Sequence, residues 1–176
     1  MDVAVQGKPK AAQADGPAAD AEPMFDLIEL FFFAYRDFVG DADRLLEAMR
    51  FGRAHHRVLH FVNRQPGLTI AELLDILKIT KQSLNRVLKE LLEQNFVEAR
   101  AGVADRRQRH LFATAKGRKL ALELAHLQSR RFSRVLDAAP EAARNEAIRF
   151  LLAMIDPADQ DKVASLVWPA QPRLSP

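Results

Sequence analysis

The chain has 176 residues, 48% of them apolar, enough to bury one core of ordinary domain size. It has no cysteine, which excludes disulfides, thiol catalysis and thiolate metal sites, and no apolar run approaches the roughly 18 residues that span a bilayer. The net charge of +3 is unevenly placed: residues 80–119 hold ten of the 26 Lys and Arg but four of the 23 Asp and Glu, a balance of +6 that leaves −3 elsewhere. A basic segment on a slightly acidic body is the footprint expected for a polyanionic partner, with an ordinary soluble surface as the alternative.

Residues 1–22 are small, polar and punctuated by Pro and Gly, and read as a disordered tail with no apolar signal segment. Residues 23–52 read as N-terminal helices. Pro23 suits a first helical turn, and the run MFDLIELFFFAYRDFV is apolar on almost every side, so a second subunit is the expected cover. Gly40-Asp41 is expected to break this helix, with a short one, ADRLLEAMR, following it. Phe31, Phe32 and Phe33 are assigned to a dimer core, with the wall of an effector pocket as the alternative.

Residues 53–117 carry the densest signals. Val58, Leu59 and Val62 form a helical stripe that Pro66 and Gly67 stop. Thr69 and Glu72 have the spacing of a reciprocal capping box, and Ile70, Leu73, Leu74 and Leu77 give the helix they open a buried face. After the short link Lys78-Ile79, Thr80 stands as a second N-cap. In the helix it opens, Leu84, Val87, Leu88, Leu91 and Leu92 recur at i, i+3, i+4, i+7 and i+8, leaving Gln82, Arg86 and Lys89 on the far side with Ser83 and Asn85 beside them. Two short capped helices joined by a tight link, the second with amides, a hydroxyl and cations outward, describe a helix-turn-helix. FVEARAG and QRHLFAT then alternate as two strands, and GVADRR between them turns, which makes a winged helix-turn-helix with the arginines on the wing.

These side chains suit duplex DNA. Gln82 and Asn85 can each make two bonds to an adenine edge and Arg86 two to guanine. Thr80, Lys81, Lys89, Arg106 and Arg109 suit phosphate, Arg109 with solvent as the alternative, and Arg107 suits a narrow minor groove. Asp105 is expected to orient a neighbouring wing arginine. His56 and His60, at i and i+4, have the spacing of a two-histidine metal pair, with His55 adjacent, but lack a carboxylate at ligand spacing. The expected reading is structural, with no metal and no cofactor. There is no Gly-rich phosphate loop, nucleophile elbow or convincing carboxylate pair, so no catalytic residue and no enzyme is expected.

The pattern D-x-R, a strand, then T-x-x-G (Asp105, Arg107, Thr114 and Gly117 within DRRQRHLFATAKG) resembles the MarR family of bacterial transcription regulators over about residues 25–155. The stretch RAHHRVLHFVNRQPGLTIAELLDILKITKQSLNRVL also resembles the PetP-type branch of purple bacteria. The resemblance implies a homodimer built from N- and C-terminal helices, one winged helix per half-site of double-stranded DNA, and repression or activation modulated by a small-molecule effector in the cytoplasm. Ala113 departs from the family's usual leucine, which is expected to loosen packing under the wing. The expected fold is mainly α (α+β), a winged helix-turn-helix with a two-stranded wing and a helical dimerisation region. Residues 118–156 supply that region's C-terminal helices, one starting at Pro140, and 157–176 form a tail around Trp168 that docks or stays loose. A protein-interaction or RNA-binding winged helix is the alternative function.

Overall fold

The computed structural model describes residues 22–102 and 108–169. Seven helices and a small antiparallel sheet make up these residues: α1 Phe25–Glu47, α2 Arg53–Arg64, β1 Leu68–Thr69, α3 Ile70–Leu77, α4 Lys81–Glu93, β2 Val97–Ala101, β3 Arg109–Ala113, α5 Ala115–Leu136, α6 Ala143–Ala153 and α7 Pro157–Val167. The mainly helical winged helix-turn-helix is therefore present, with one strand beyond the two expected.

The core lies inside the head formed by α2 to β3, closed by the second half of α1 and the first half of α5. Val58, Leu59 and Val62 of α2 meet Leu84, Val87 and Leu91 of α4, with Leu68, Leu73, Leu111 and Leu124 completing the cluster. Leu92, at the edge of the α4 stripe, stays exposed although Leu91 beside it is fully buried; in α3 only Leu73 is fully buried, and Ile70, Leu74 and Leu77 pack at the edge of the core.

Gly40-Asp41 does not break the first helix. One glycine costs a helix about 1 kcal/mol relative to alanine, and the flanking residues offset it. Val39, Ala42 and Leu46 continue one buried stripe through the site, and Asp41 accepts hydrogen bonds from Arg44 and, at 2.9 Å, from Arg131 of α5. The consequence is a single 23-residue rod whose first half projects from the head.

The caps fall where their side chains predict. The hydroxyl of Thr69 accepts from Glu72 N–H at 3.2 Å while Glu72 accepts from Thr69 N–H at 2.8 Å, and Thr80 accepts from Ser83 N–H at 3.2 Å. Between them, Lys78 takes a left-handed conformation (φ 50°), which turns the chain sharply from α3 into α4. α2 uses a less common device: His55 Nδ1 accepts the N–H of Gly52 at 3.1 Å, the role that Glu72 plays for α3.

β3 runs between β1 and β2. Val97 pairs with Ala113, Ala99 with Leu111 and Ala101 with Arg109, and Leu68 pairs with Leu111 on the other edge. His110 Nδ1–H donates to Gly67 O at 2.8 Å, closing the β1 edge. α5 then starts at Thr114, whose hydroxyl accepts from Gly117 N–H at 3.0 Å and donates to Asn95 O at 2.7 Å. Gly117 allows α5 to approach the sheet: a Cβ there would stand 1.8 Å from the carbonyl oxygen of Phe96.

Regular helix in α6 begins at Ala143 rather than at the expected Pro140; residues 140–142 carry no regular helix and no side-chain cap. Of the two readings left open for the tail, docked or loose, the described part follows the first: Pro157–Val167 is a helix whose C-terminal carbonyls accept from Arg64 and Gln65 of the head. Asp156 accepts from Ala158 N–H at 3.0 Å and Pro157 occupies the first turn, both favourable starts. No helix among the described residues is long and apolar enough to cross a membrane.

Candidate nucleic-acid interface

α4 is held by its buried leucines so that Lys81, Gln82, Ser83, Asn85, Arg86 and Lys89 all reach solvent, with Thr80 exposed at its N-terminus. The end of the helix is well ordered by its own side chains. Thr80 Oγ1 donates to Ser83 Oγ at 2.9 Å while accepting the Ser83 amide, so both hydroxyls are held at the first turn, where backbone N–H groups and the helix dipole favour an anion. Among the described residues neither Lys81 nor Arg86 meets a carboxylate, whereas Lys89 lies 3.8 Å from Glu93.

Arg109, the first residue of β3, is exposed and close to the same face. It lines a depression of about 670 Å³ together with Lys81, and a second of about 530 Å³ together with Asn85 and Lys89. The strand thus sets one cation between the two ends of the outward face of α4. Asp105, Arg106 and Arg107 lie outside the described residues.

Not every cation in the basic segment is available to a partner. Arg100 donates to Glu98 at 2.6 Å and its guanidinium lies over the Phe112 ring at 4.4 Å. Lys116 donates to Gln94 O at 2.9 Å and sits 4.1 Å from the Phe96 ring. Both hold the sheet and the start of α5 together, so the charge count overstated the free cations.

His55, His56 and His60 all lie on α2. His56 is buried and His60 half-buried, and burial is the first cause that lowers both pKa values. His60 also disfavours the charged form of His56, with Asp43 opposing it, and Arg64 disfavours that of His60. Among the described residues no cluster of three or more His, Asp or Glu could hold a metal ion. His55 does find a carboxylate that spacing along the chain could not reveal: its Nε2 lies 2.9 Å from Glu90 of α4.

A capped helix-turn-helix followed by a β-hairpin, with the polar face of its second helix open, defines a winged helix-turn-helix protein. The comparisons with known proteins narrow this. A MarR-family profile matches residues 51–108, which runs from the start of α2 to the threshold of β3. The HTH-type transcriptional regulator PetP of Rhodobacter capsulatus is 49% identical over 131 residues, covering 74% of this chain and 79% of that protein. The chain belongs to the MarR family. The names of its relatives are those of transcription regulators rather than enzymes.

Solved structures agree on the fold. Streptococcus pneumoniae FabT in complex with DNA is 17% identical with a TM-score of 0.65, over 73% of this chain and 94% of that one. A Mycobacterium tuberculosis MarR family protein in complex with salicylic acid is 26% identical with a TM-score of 0.55, over 78% and 100%.

Proposed function

We propose that this MarR-type transcription regulator acts as a homodimer on a pseudo-palindromic site in double-stranded DNA, and that a small ligand modulates its affinity. The observation that carries the DNA reading is the outward face of α4, where Gln82, Asn85 and Arg86 are free to meet base edges while the helix end is fixed by Thr80 and Ser83. In this reading α4 enters the major groove. Lys81, Lys89 and Arg109, with Thr80 and Ser83 at the helix end, meet phosphate and supply affinity, and Gln82, Asn85 and Arg86 supply sequence choice. Arg106 extends the phosphate contacts, Arg107 enters the adjacent minor groove, and Asp105 aims the wing arginines. The complex of FabT with DNA supports the reading by analogy of fold.

The dimer reading rests on apolar surface. The projecting half of α1 exposes Leu30, Phe31, Phe32 and Phe33, α5 exposes Phe132 and Val135, and α6 exposes Phe150 and Leu151. None of the residues of α6 is fully buried, so the helix lacks a core of its own within one subunit. Patches of this extent mark an interface, and a two-fold axis would cover the same patch on both copies at once. For a dimer reading two half-sites, the two copies of α4 are expected about one helical turn of DNA apart, roughly 34–36 Å.

Hydroxyl-radical footprinting on DNA from upstream of the protein's own coding sequence tests this arrangement. Two protected patches one helical turn apart are expected. A single patch would overturn the two-fold arrangement.

A further inference from the structure

The polar contacts of α7 gather on the helix-turn-helix. Lys162 donates to the backbone carbonyl of Asp75 at 3.4 Å and also meets its carboxylate, on the last turn of α3. Asp159 lies 3.7 Å from Lys78, which in turn bonds Asp75 at 3.1 Å. Lys78 is the residue that turns α3 into α4, and its left-handed backbone (φ 50°) is disfavoured for any residue with a side chain. At the other end, where α2 stops, Arg64 donates to Val167 O at 3.3 Å and Gln65 to Leu166 O at 3.4 Å. α7 therefore spans from the end of α2 to the turn before α4.

This docking is made at its rim. No residue of α7 is fully buried, and a cleft of about 480 Å³ remains beneath the helix, with Phe61, Ile76, Val163 and Leu166 on its walls. Of the anchoring residues only Gln65 is buried. The side chains of Lys78, Asp75, Asp159 and Lys162 are 59%, 57%, 38% and 35% exposed, and ion pairs this open to water hold weakly and are screened by salt. An 11-residue helix is itself marginal in water without tertiary contacts, so undocking and melting of α7 go together. α3 and α4, by contrast, are fixed from beneath by Leu73, Leu84, Val87 and Leu91, and stay folded when α7 leaves.

We propose that α7 is a salt-sensitive latch on the helix-turn-helix: docked, it holds the turn at Lys78 and so fixes the aim of α4; released, it melts and leaves the turn to its local contacts. The latch stands on the contacts above, whereas its effect on sequence choice rests on the DNA-binding reading.

Hydrogen exchange of the full-length protein, read peptide by peptide, tests the latch. In low salt the α7 amides are expected to be protected, and to lose about tenfold of that protection as salt screens the ion pairs, while α2 and α4 stay protected. Lys162→Glu, which sets a carboxylate against Asp75, should lose the α7 protection even in low salt, with the main thermal transition unchanged. The charge-swapped double variant, Asp75→Lys with Lys162→Glu, should regain it. Protection of α7 that ignores salt, that survives Lys162→Glu, or that fails to return in the double variant overturns the latch.

Anisotropy with duplex DNA from the protein's own upstream region and with a random duplex separates the second step. A lost cation alone weakens both duplexes alike, whereas a released latch should lower the preference for the upstream duplex several-fold in Lys162→Glu and restore it in the double variant. Release of α7 with an unchanged preference overturns its positioning of α4. Weak and equal DNA binding by the intact protein, with α7 protection as expected, overturns the DNA reading and leaves the latch in place.

Discussion

The imidazole of His55 ties the start of α2 to α4: Nε2 lies 2.9 Å from the Glu90 carboxylate, while Nδ1 accepts the N–H of Gly52 at 3.1 Å. An acceptor at Nδ1 leaves the ring proton on Nε2, so the imidazole donates to Glu90. The ring also stacks on Phe51, with centroids 4.5 Å apart. This contact links the start of α2 to the C-terminal half of α4, opposite the end assigned to DNA.

Removing it should loosen α4 without changing any proposed DNA contact. His55→Ala is expected to lower unfolding free energy by about 1–2 kcal/mol, the range for a partly exposed charge-assisted hydrogen bond plus lost ring packing. Urea denaturation of His55→Ala, Glu90→Gln and the double variant checks this. A coupling of about 1 kcal/mol is expected between the two, and strict additivity would contradict the assigned bond.

Gly117 makes a stronger test of packing. An alanine Cβ at this position would lie 1.8 Å from Phe96 O, a backbone atom that cannot step aside alone. Gly117→Ala should cost roughly 3 kcal/mol, at the upper end for forcing one methyl into a closed space. A thermal melt close to that of the unaltered protein would show that α5 does not sit this close to the sheet.

Stability should fall in mild acid through His56 and His60. Burial lowers both pKa values in the folded protein, while the unfolded chain protonates near about 6.5. Between those values the unfolded state binds more protons, so stability is fully present above about pH 6.5 and is lost as pH falls through the folded values. The midpoint of thermal unfolding, followed from pH 8 to pH 5, should decline less steeply in a His56→Gln, His60→Gln double variant. An unchanged slope would contradict the burial of these rings.

The exposed apolar half of α1 predicts an obligate partner. Phe32 is 61% exposed, and Leu30 65%, in one subunit. Sedimentation of the intact protein should give a dimer, and a Leu30→Glu, Phe32→Glu double variant should give a monomer with weakened DNA binding. A monomeric intact protein at micromolar concentration would contradict the dimer.

The parts legible in the sequence were those with local causes. Thr69 with Glu72, Thr80 before its leucine stripe, and Thr114 with Gly117 each state their role within four residues, because caps and close approaches act over one helical turn. Gly40 misled for the opposite reason: its local preference was outweighed by Asp41 bonding to Arg131, ninety residues on. The engagement of Arg100 and Lys116 with aromatic rings, the bond from His55 to Glu90 and the third strand at Leu68 also depend on tertiary neighbours. α7 had a readable start in Asp156-Pro157, and its position against α2 and α3 had no local signal.

Specific DNA binding is the central claim, and fluorescence anisotropy across a salt series tests it most directly. The probes are duplex DNA from the protein's own upstream region and a random duplex of equal length, with the intact protein, Arg86→Ala and Lys89→Ala. The intact protein should bind the upstream duplex at least about a thousandfold more tightly, with a steep dependence on salt. Arg86→Ala should narrow that preference, while Lys89→Ala should weaken both duplexes alike and flatten the slope by about one unit. Weak and equal binding to both duplexes by the intact protein, at every salt concentration, would contradict the account.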